Sequence, residues 1–205
     1  EMNFSQSNEQ EIILDYFKNQ PEGTFLDIGA NDGKTLSNTH ALALSGWRGV
    51  CVEPMPEAFN KLVELYDNYP FIECHNIAIA KESGVSDFYQ SGSHLKTGDS
   101  GLLSTLEPEE MKRWKGTEKF EKIQVECLSW KDFYISDKHF DFISIDAEGL
   151  DYFILNQMDL SAMQTKLVCV EWNHNAQLKS AFHSIFKSFG MRLIHMNFEN
   201  LIYGI

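Results

Sequence analysis

The sequence predicts an α/β fold: one mostly parallel sheet with helices on both faces. Three observations carry that expectation. Thr24–Ile28, Gly49–Val52, Phe140–Ile145 and Leu167–Val170 are short apolar runs bounded by turn residues, the pattern of strands buried on both faces. Segments with apolar residues at three- and four-residue spacing separate them, so strands and helices alternate. The first run ends in Gly29-Ala30-Asn31-Asp32-Gly33, where two glycines around an Asn-Asp pair break the strand in a tight turn.

The elements follow in order. Residues 8–19 carry Ile12, Ile13, Tyr16 and Phe17 on one face, with Ser7 and Gln10 spaced as a capping box. After the glycine turn, Leu36, Thr39, His40, Ala43 and Leu44 predict a helix entered directly from the turn. Gly46-Trp47-Arg48-Gly49 leads into the second strand, and Pro54-Met55-Pro56 opens a helix over 57–67. Phe71–Ile79 is expected as a third strand. Residues 81–105, rich in Ser, Gly, Lys and Asp, read as a long loop with a short alternating run at Val85–Tyr89. A short helix over 107–115, a strand at 123–128 and a helix begun by Ser129 and Asp132 come next. The strand 140–145, a helix with Asp151 in its first turn, the strand 167–170, a helix over 176–188 and a terminal hairpin at 191–196 and 201–205 complete the chain.

A length of 205 residues, 43% of them hydrophobic, predicts a single domain over 1–205, with 91–122 as an inserted loop. Net charge is −13 and the basic residues are scattered, which argues against a polyanionic nucleic acid as partner. No apolar run reaches the ~20 residues of a membrane helix, and the polar start lacks a signal-peptide profile, so a cytoplasmic location is expected. Cys51, Cys74, Cys127 and Cys169 fall in or beside strands without a C-x-x-C pair, and read as reduced, buried thiols.

The glycine turn reads as a ligand cradle. Its spacing, Gly29-x-x-x-Gly33, departs from the G-x-G-x-x-G of dinucleotide sites, and Asp27 beside it suits an amino-bearing ligand better than a phosphate. The second strand ends in Glu53, 20 positions after Gly33, where nucleotide-binding α/β units place the carboxylate that accepts ribose hydroxyls. A ribose without a required phosphate points to S-adenosylmethionine.

These residues, with Val52-Glu53-Pro54 and Ile145-Asp146-Ala147-Glu148-Gly149-x-Asp151, resemble the FkbM family of S-adenosylmethionine-dependent methyltransferases. The last motif is the narrower signal, and Asp151 stands where family members commonly carry Glu. The resemblance implies a Rossmann-like methyltransferase sandwich, with a mostly parallel seven-stranded sheet and an antiparallel last strand. It implies cofactor contacts from Asp27, Gly29, Ala30, Asn31, Asp32, Gly33, Glu53 and Pro54. Asn76 and Ala78 would stand at the adenine, and Ser100, Ser104 and Thr105 in a loop over the substrate.

Ligands of open α/β sheets bind beyond the carboxyl ends of the strands, so Asp146 and Glu148 are the first candidates for catalysis, with His174 as a second possible base. Methyl transfer is an in-line displacement, and a carboxylate or imidazole beside an acceptor hydroxyl removes its proton. Asp146, Glu171 and Asn173 also suit a hard cation, although the resemblance requires none and no metal is assigned. The expected activity is O-methylation of a sugar or other small hydroxylated metabolite. The alternatives are an NAD-linked oxidoreductase or epimerase, and a non-catalytic binding module on the same sheet.

Overall fold

A computed structural model of the chain describes residues 2–91, 104–109, 112, 120–134 and 138–205. Its main sheet has seven strands: β1 (Thr24–Ile28), β2 (Arg48–Val52), β3 (Ile72–His75), β7 (Phe142–Ile145), β8 (Leu167–Glu171), β9 (Arg192–Met196) and β10 (Asn200–Gly204). Their order is β3-β2-β1-β7-β8-β10-β9. All neighbours pair in parallel except β10, which is antiparallel to both β8 and β9. This is the seven-stranded, mostly parallel architecture expected, with the final strand reversed and one place in from the edge.

Side-chain alternation sends β1, β2, β7 and β8 into two cores. Leu26, Ile28, Val50, Val52, Ile143, Ile145, Val168 and Val170 pack with Ile154 of α5 (Asp151–Leu155) and Phe182 and Phe186 of α6 (Ala176–Ser188). On the other face, Phe25, Cys51, Phe142, Leu167 and Cys169 meet α1 (Glu9–Tyr16), α2 (His40–Leu44) and α3 (Pro56–Tyr66) through Ile13, Leu42, Leu62 and Tyr66. All four cysteines are free thiols. No helix among the described residues is long and apolar enough to cross a membrane.

Several elements depart from expectation. The third strand is two. β3 ends at His75, and the Asn76 amide then donates to the carbonyls of Glu53 (2.8 Å) and Pro54 (3.1 Å), bending the chain out of the main sheet. It resumes as β4 (Ala78–Ala80) in a three-stranded sheet, β4-β6-β5. Here β6 (Phe120–Ser129) pairs with β5 (Gly84–Ser91), so the alternating run at 85–89 is part of an eight-residue strand rather than of a loop. The expected helix at 107–115 lies largely outside the described residues. Its described part is a turn, with the Lys112 N–H on the Glu109 carbonyl.

The capping box at Ser7 does not form. Asn8 caps α1 without a side-chain bond, the Gln10 N–H goes to Ser5 Oγ, and Glu9 accepts the Ser7 N–H. Glu9 is fully buried instead and accepts the amides of Asn197 and Asn200, which ties α1 to the terminal hairpin. Ser129 does cap α4 (Trp130–Phe133), accepting the Asp132 N–H.

Candidate active site

The carboxyl ends of β1, β2, β7 and β8 open into one cavity of about 270 Å³. Backbone bonds hold these tips in line. Gly29 and Ala30 both donate to the Val52 carbonyl (3.0 and 3.1 Å), and Asp146 donates to Ile28 (2.9 Å). The approach is close enough that glycine is required. A Cβ on Gly29 would lie 1.8 Å from the Asp146 carbonyl oxygen, and its φ is +84°. Gly29 therefore serves strand packing, and Gly33, at φ +77°, lies against Leu62 and Tyr66 of α3. The helix expected straight after the turn begins only at His40. Residues 29–39 form a loop, with Leu36 at φ +56°, so loop N–H groups replace the expected helix start.

Of the residues singled out in the sequence, Asp27, Gly29, Ala30, Asn31, Glu53, Pro54, Ala78, Ser104, Asp146 and Glu148 line this cavity. Asp32, Gly33, Asn76 and His174 do not. Asp32 turns its carboxylate onto the N–H groups of Lys34 and Thr35, 2.9 and 2.6 Å away. Asn76 shapes the exit of β2, and the His174 ring packs on Phe198 and Trp172. Ser100 lies outside the described residues. Thr105 is buried beside the turn after β7, its hydroxyl donating to the Glu148 carbonyl at 2.7 Å.

Glu53 is held at both oxygens: Oε2 accepts the Asn31 N–H (2.8 Å) and Oε1 the Met55 N–H (2.7 Å). Burial pushes its carboxyl up to about 7 against these two bonds. Asp27 is likewise pushed up to about 7 by burial, although the Thr39 hydroxyl donates to it at 2.6 Å. Each oxygen keeps lone pairs for a further donor.

Across the cavity, the carboxylates of Asp146, Glu148 and Glu171 each bring an oxygen within 4.8 Å of the other two. Asp146 keeps a solvent-exposed edge in the cavity. Burial among the strand tips and then the Glu199 charge push it up. Glu171 is pushed well above the usual carboxylate range by burial and by Asp146, Glu148 and Asp151, while Asn173 donates to its Oε2. Three carboxyls so close disfavour full ionisation of the cluster as a whole. Asp151 is buried in the first turn of α5, and its two oxygens accept the N–H groups of Ala147 and Gly149, both at 3.3 Å. It holds the turn on which Glu148 sits at φ +43°.

The remaining wall was not singled out in the sequence. Thr35, Ser37 and Asn38 enter from the 29–39 loop, Gln6 from the N-terminal segment, and Glu199 and Asn200 from the hairpin. The run Thr35-Leu36-Ser37-Asn38-Thr39 did carry a signal, since hydroxyl and amide side chains that bond their own backbone favour loops over helix interiors. Among the described residues, no Lys, Arg or His lines the cavity, whereas Asp27, Glu53, Asp146, Glu148, Glu171 and Glu199 all do.

The fold has solved counterparts. PH1948 from Pyrococcus horikoshii, a suggested RNA methyltransferase, is 13% identical with a TM-score of 0.51, over 96% of this chain and 82% of that one. YhhF from Escherichia coli, a suggested methyltransferase, is 10% identical with a TM-score of 0.52, over 99% and 88%. Monomeric WbdD is 12% identical with a TM-score of 0.52, over 98% of this chain and 41% of that one. At these identities the likeness is one of fold. No curated protein sequence matches the chain. The methyltransferase FkbM domain, as a family, matches residues 27–194, most of the chain and all of the strand tips described above. The chain belongs to the FkbM methyltransferase domain family.

Proposed function

We propose that this methyltransferase domain uses S-adenosylmethionine to methylate a hydroxyl of a sugar or another small hydroxylated metabolite. The observation that carries the reading is Glu53, a buried carboxylate at the tip of β2 that lines the cavity beside Asn31 and Pro54. Its free lone pairs suit two adjacent ribose hydroxyls. Ile77, Ala78, Ile79, Phe88 and Leu106 give the same cavity an apolar wall that suits a purine. The acidic lining favours a ligand bearing an amine and a sulfonium. It disfavours NAD, whose pyrophosphate has no basic partner among the described lining residues.

The bound cofactor supplies an electrophilic methyl group. The chain's own part is to hold the acceptor in line and manage its proton. Asp146 and Glu148, side by side on the turn after β7, accept the acceptor's hydroxyl, and whichever is ionised takes the proton as the bond forms. Ser104 stands near the acceptor on the other wall. His174, packed outside the cavity, has no part in this mechanism. A net charge of −13 and the acidic walls favour a small neutral acceptor over a nucleic acid, and a cytoplasmic location belongs to the same proposal.

Calorimetry with S-adenosylhomocysteine tests the reading. The wild type is expected to bind, and Glu53→Ala to bind at least about tenfold more weakly. A wild type that does not bind removes the cofactor, and unchanged binding in Glu53→Ala removes the ribose contact.

A further inference from the structure

One corner of the cavity rim carries aromatic rings in water. Phe198, in the turn between β9 and β10, is 72% exposed, more than any other large apolar side chain among the described residues. Its ring packs on His174, and the His174 ring packs in turn on Trp172, with centroids 5.3 Å apart and planes at 61°. Trp172 is the footing. Its indole N–H donates to the Asn197 carbonyl (3.3 Å), its backbone N–H donates to the Glu199 carbonyl (2.9 Å), and the Lys179 ammonium lies 5.4 Å over its ring. Phe198 is the ring left open, and a large apolar side chain exposed at the edge of a ligand cavity points to a contact made there.

The chain leaving β8 is bent to bring His174 to this place. Asn173 and His174 are both left-handed, at φ +51° and +54°, a pairing that side chains other than glycine avoid and that persists where a site uses it. The two segments that carry the rings also wall the cavity. Glu171 precedes Trp172, Glu199 and Asn200 follow Phe198, and all three line it. Glu199 faces Asp146, whose carboxyl its charge helps to push up. Carboxylates and amides therefore lie just inside an open aromatic ring. Hydroxyl groups bond to both, and the C–H face of a pyranose suits the negative face of a ring. A neutral sugar carries those two surfaces together. A phosphorylated or carboxylated one would meet Asp146, Glu148, Glu171 and Glu199 with no cation among the described lining residues.

We propose that Phe198, seated on His174 and Trp172, is the stacking platform of the acceptor site, and that the acceptor is a neutral sugar. The C–H face of the sugar lies on the Phe198 ring, and its hydroxyl edge turns into the cavity toward Glu171, Glu199 and Asp146. The proposal rests on the reading of this cavity as a methyltransferase site and deepens it, choosing a sugar ring among the small hydroxylated acceptors. His174 then has a place at the site without taking a proton: it holds the platform.

Saturation-transfer NMR on the full chain with S-adenosylhomocysteine present tests it. The probes are methyl β-D-glucopyranoside and methyl β-D-galactopyranoside, compared with cyclohexanol and glucose 6-phosphate. The wild type is expected to pass saturation to the ring C–H protons of at least one glycoside, and more strongly than to either comparison compound. Phe198→Ser is expected to lower that transfer about fivefold or more and Phe198→Tyr to keep it, while both bind S-adenosylhomocysteine within about twofold of wild type by calorimetry. The side chain is mostly in water, so neither variant is expected to disturb the fold. No transfer to either glycoside, or transfer unchanged in Phe198→Ser, overturns the platform and leaves the cofactor reading standing. Cyclohexanol matching the glycosides makes the ring a plain apolar patch, and a preference for glucose 6-phosphate makes the acceptor an anion; either overturns the sugar. A Phe198→Ser protein that also loses S-adenosylhomocysteine puts Phe198 on the cofactor side and overturns the platform equally. A wild type that contacts a glycoside through Phe198 but does not bind S-adenosylhomocysteine removes the cofactor and supports the sugar site.

Discussion

The Glu53 carboxylate accepts the backbone N–H of Asn31 at 2.8 Å, so the residue at the tip of β2 also clasps the glycine turn after β1. With its second bond to Met55, it organises both loops at the mouth of the cavity. Glu53→Ala leaves two backbone donors without their acceptor and is expected to cost about 1–3 kcal/mol of stability besides weakening the cofactor. Glu53→Gln retains one acceptor and should lose less. Urea denaturation of the two variants checks the order, and a Glu53→Ala protein as stable as wild type would remove the clasp.

The same carboxyl sets a pH dependence. Burial raises Glu53 from 4.5 to about 7, so between those values the folded protein holds a proton that the unfolded chain releases. Stability from this group falls as pH rises through that window, and the loss is complete above 7. Glu53→Gln has no such titration. Relative to wild type it is expected to gain on the order of 2 kcal/mol between pH 5 and pH 8. A gap that stays constant over this range would show that the carboxyl is not perturbed. Asp27, raised from 3.8 to about 7, acts in the same direction, and because its charge also raises Glu53, part of the gap belongs to the pair.

Gly29→Ala drives a methyl group into the Asp146 carbonyl at a φ of +84°. A cost on the order of 3 kcal/mol or more is expected, because the atoms met are the Asp146 backbone, which its bond to Ile28 holds in place. Gly46→Ala, at φ +89° but with open space around it, should cost only about 1–2 kcal/mol. Thermal melting of the pair separates steric closure from backbone strain, and equal losses would rule out the clash.

Thr105→Val removes a hydroxyl that donates to the Glu148 carbonyl and accepts the Glu107 N–H. At a buried site this is expected to cost about 1–3 kcal/mol. Because the bond fixes the turn carrying Glu148, turnover should fall while binding of S-adenosylhomocysteine stays within about twofold. Weaker S-adenosylhomocysteine binding with normal turnover would place Thr105 on the cofactor side instead.

Periodicity and turn chemistry determined much of this protein. The continuous apolar runs at 24–28, 49–52, 140–145 and 167–170 have only one stable environment, the centre of a sheet covered twice, and each is a central strand. The carboxylates at the ends of those runs therefore share one rim, and Asp27, Glu53, Asp146 and Glu148 were legible as a group before any coordinate. The tertiary structure decided what local pattern cannot carry. Asn76 lies in an apolar stretch that reads as one strand, and only its bonds to Glu53 and Pro54 split β3 from β4. Ser7 and Gln10 are spaced as a helix start, yet the Gln10 N–H goes to Ser5, and Glu9 between them is spent on a hairpin nearly two hundred residues later. The loop from 34 to 39 has partial helical spacing, and its path over Ser144 and Cys169 is what brings Asn38 to the cavity. In each case the deciding partner is distant in sequence, so the energy that selects the conformation exists only once the sheet has closed.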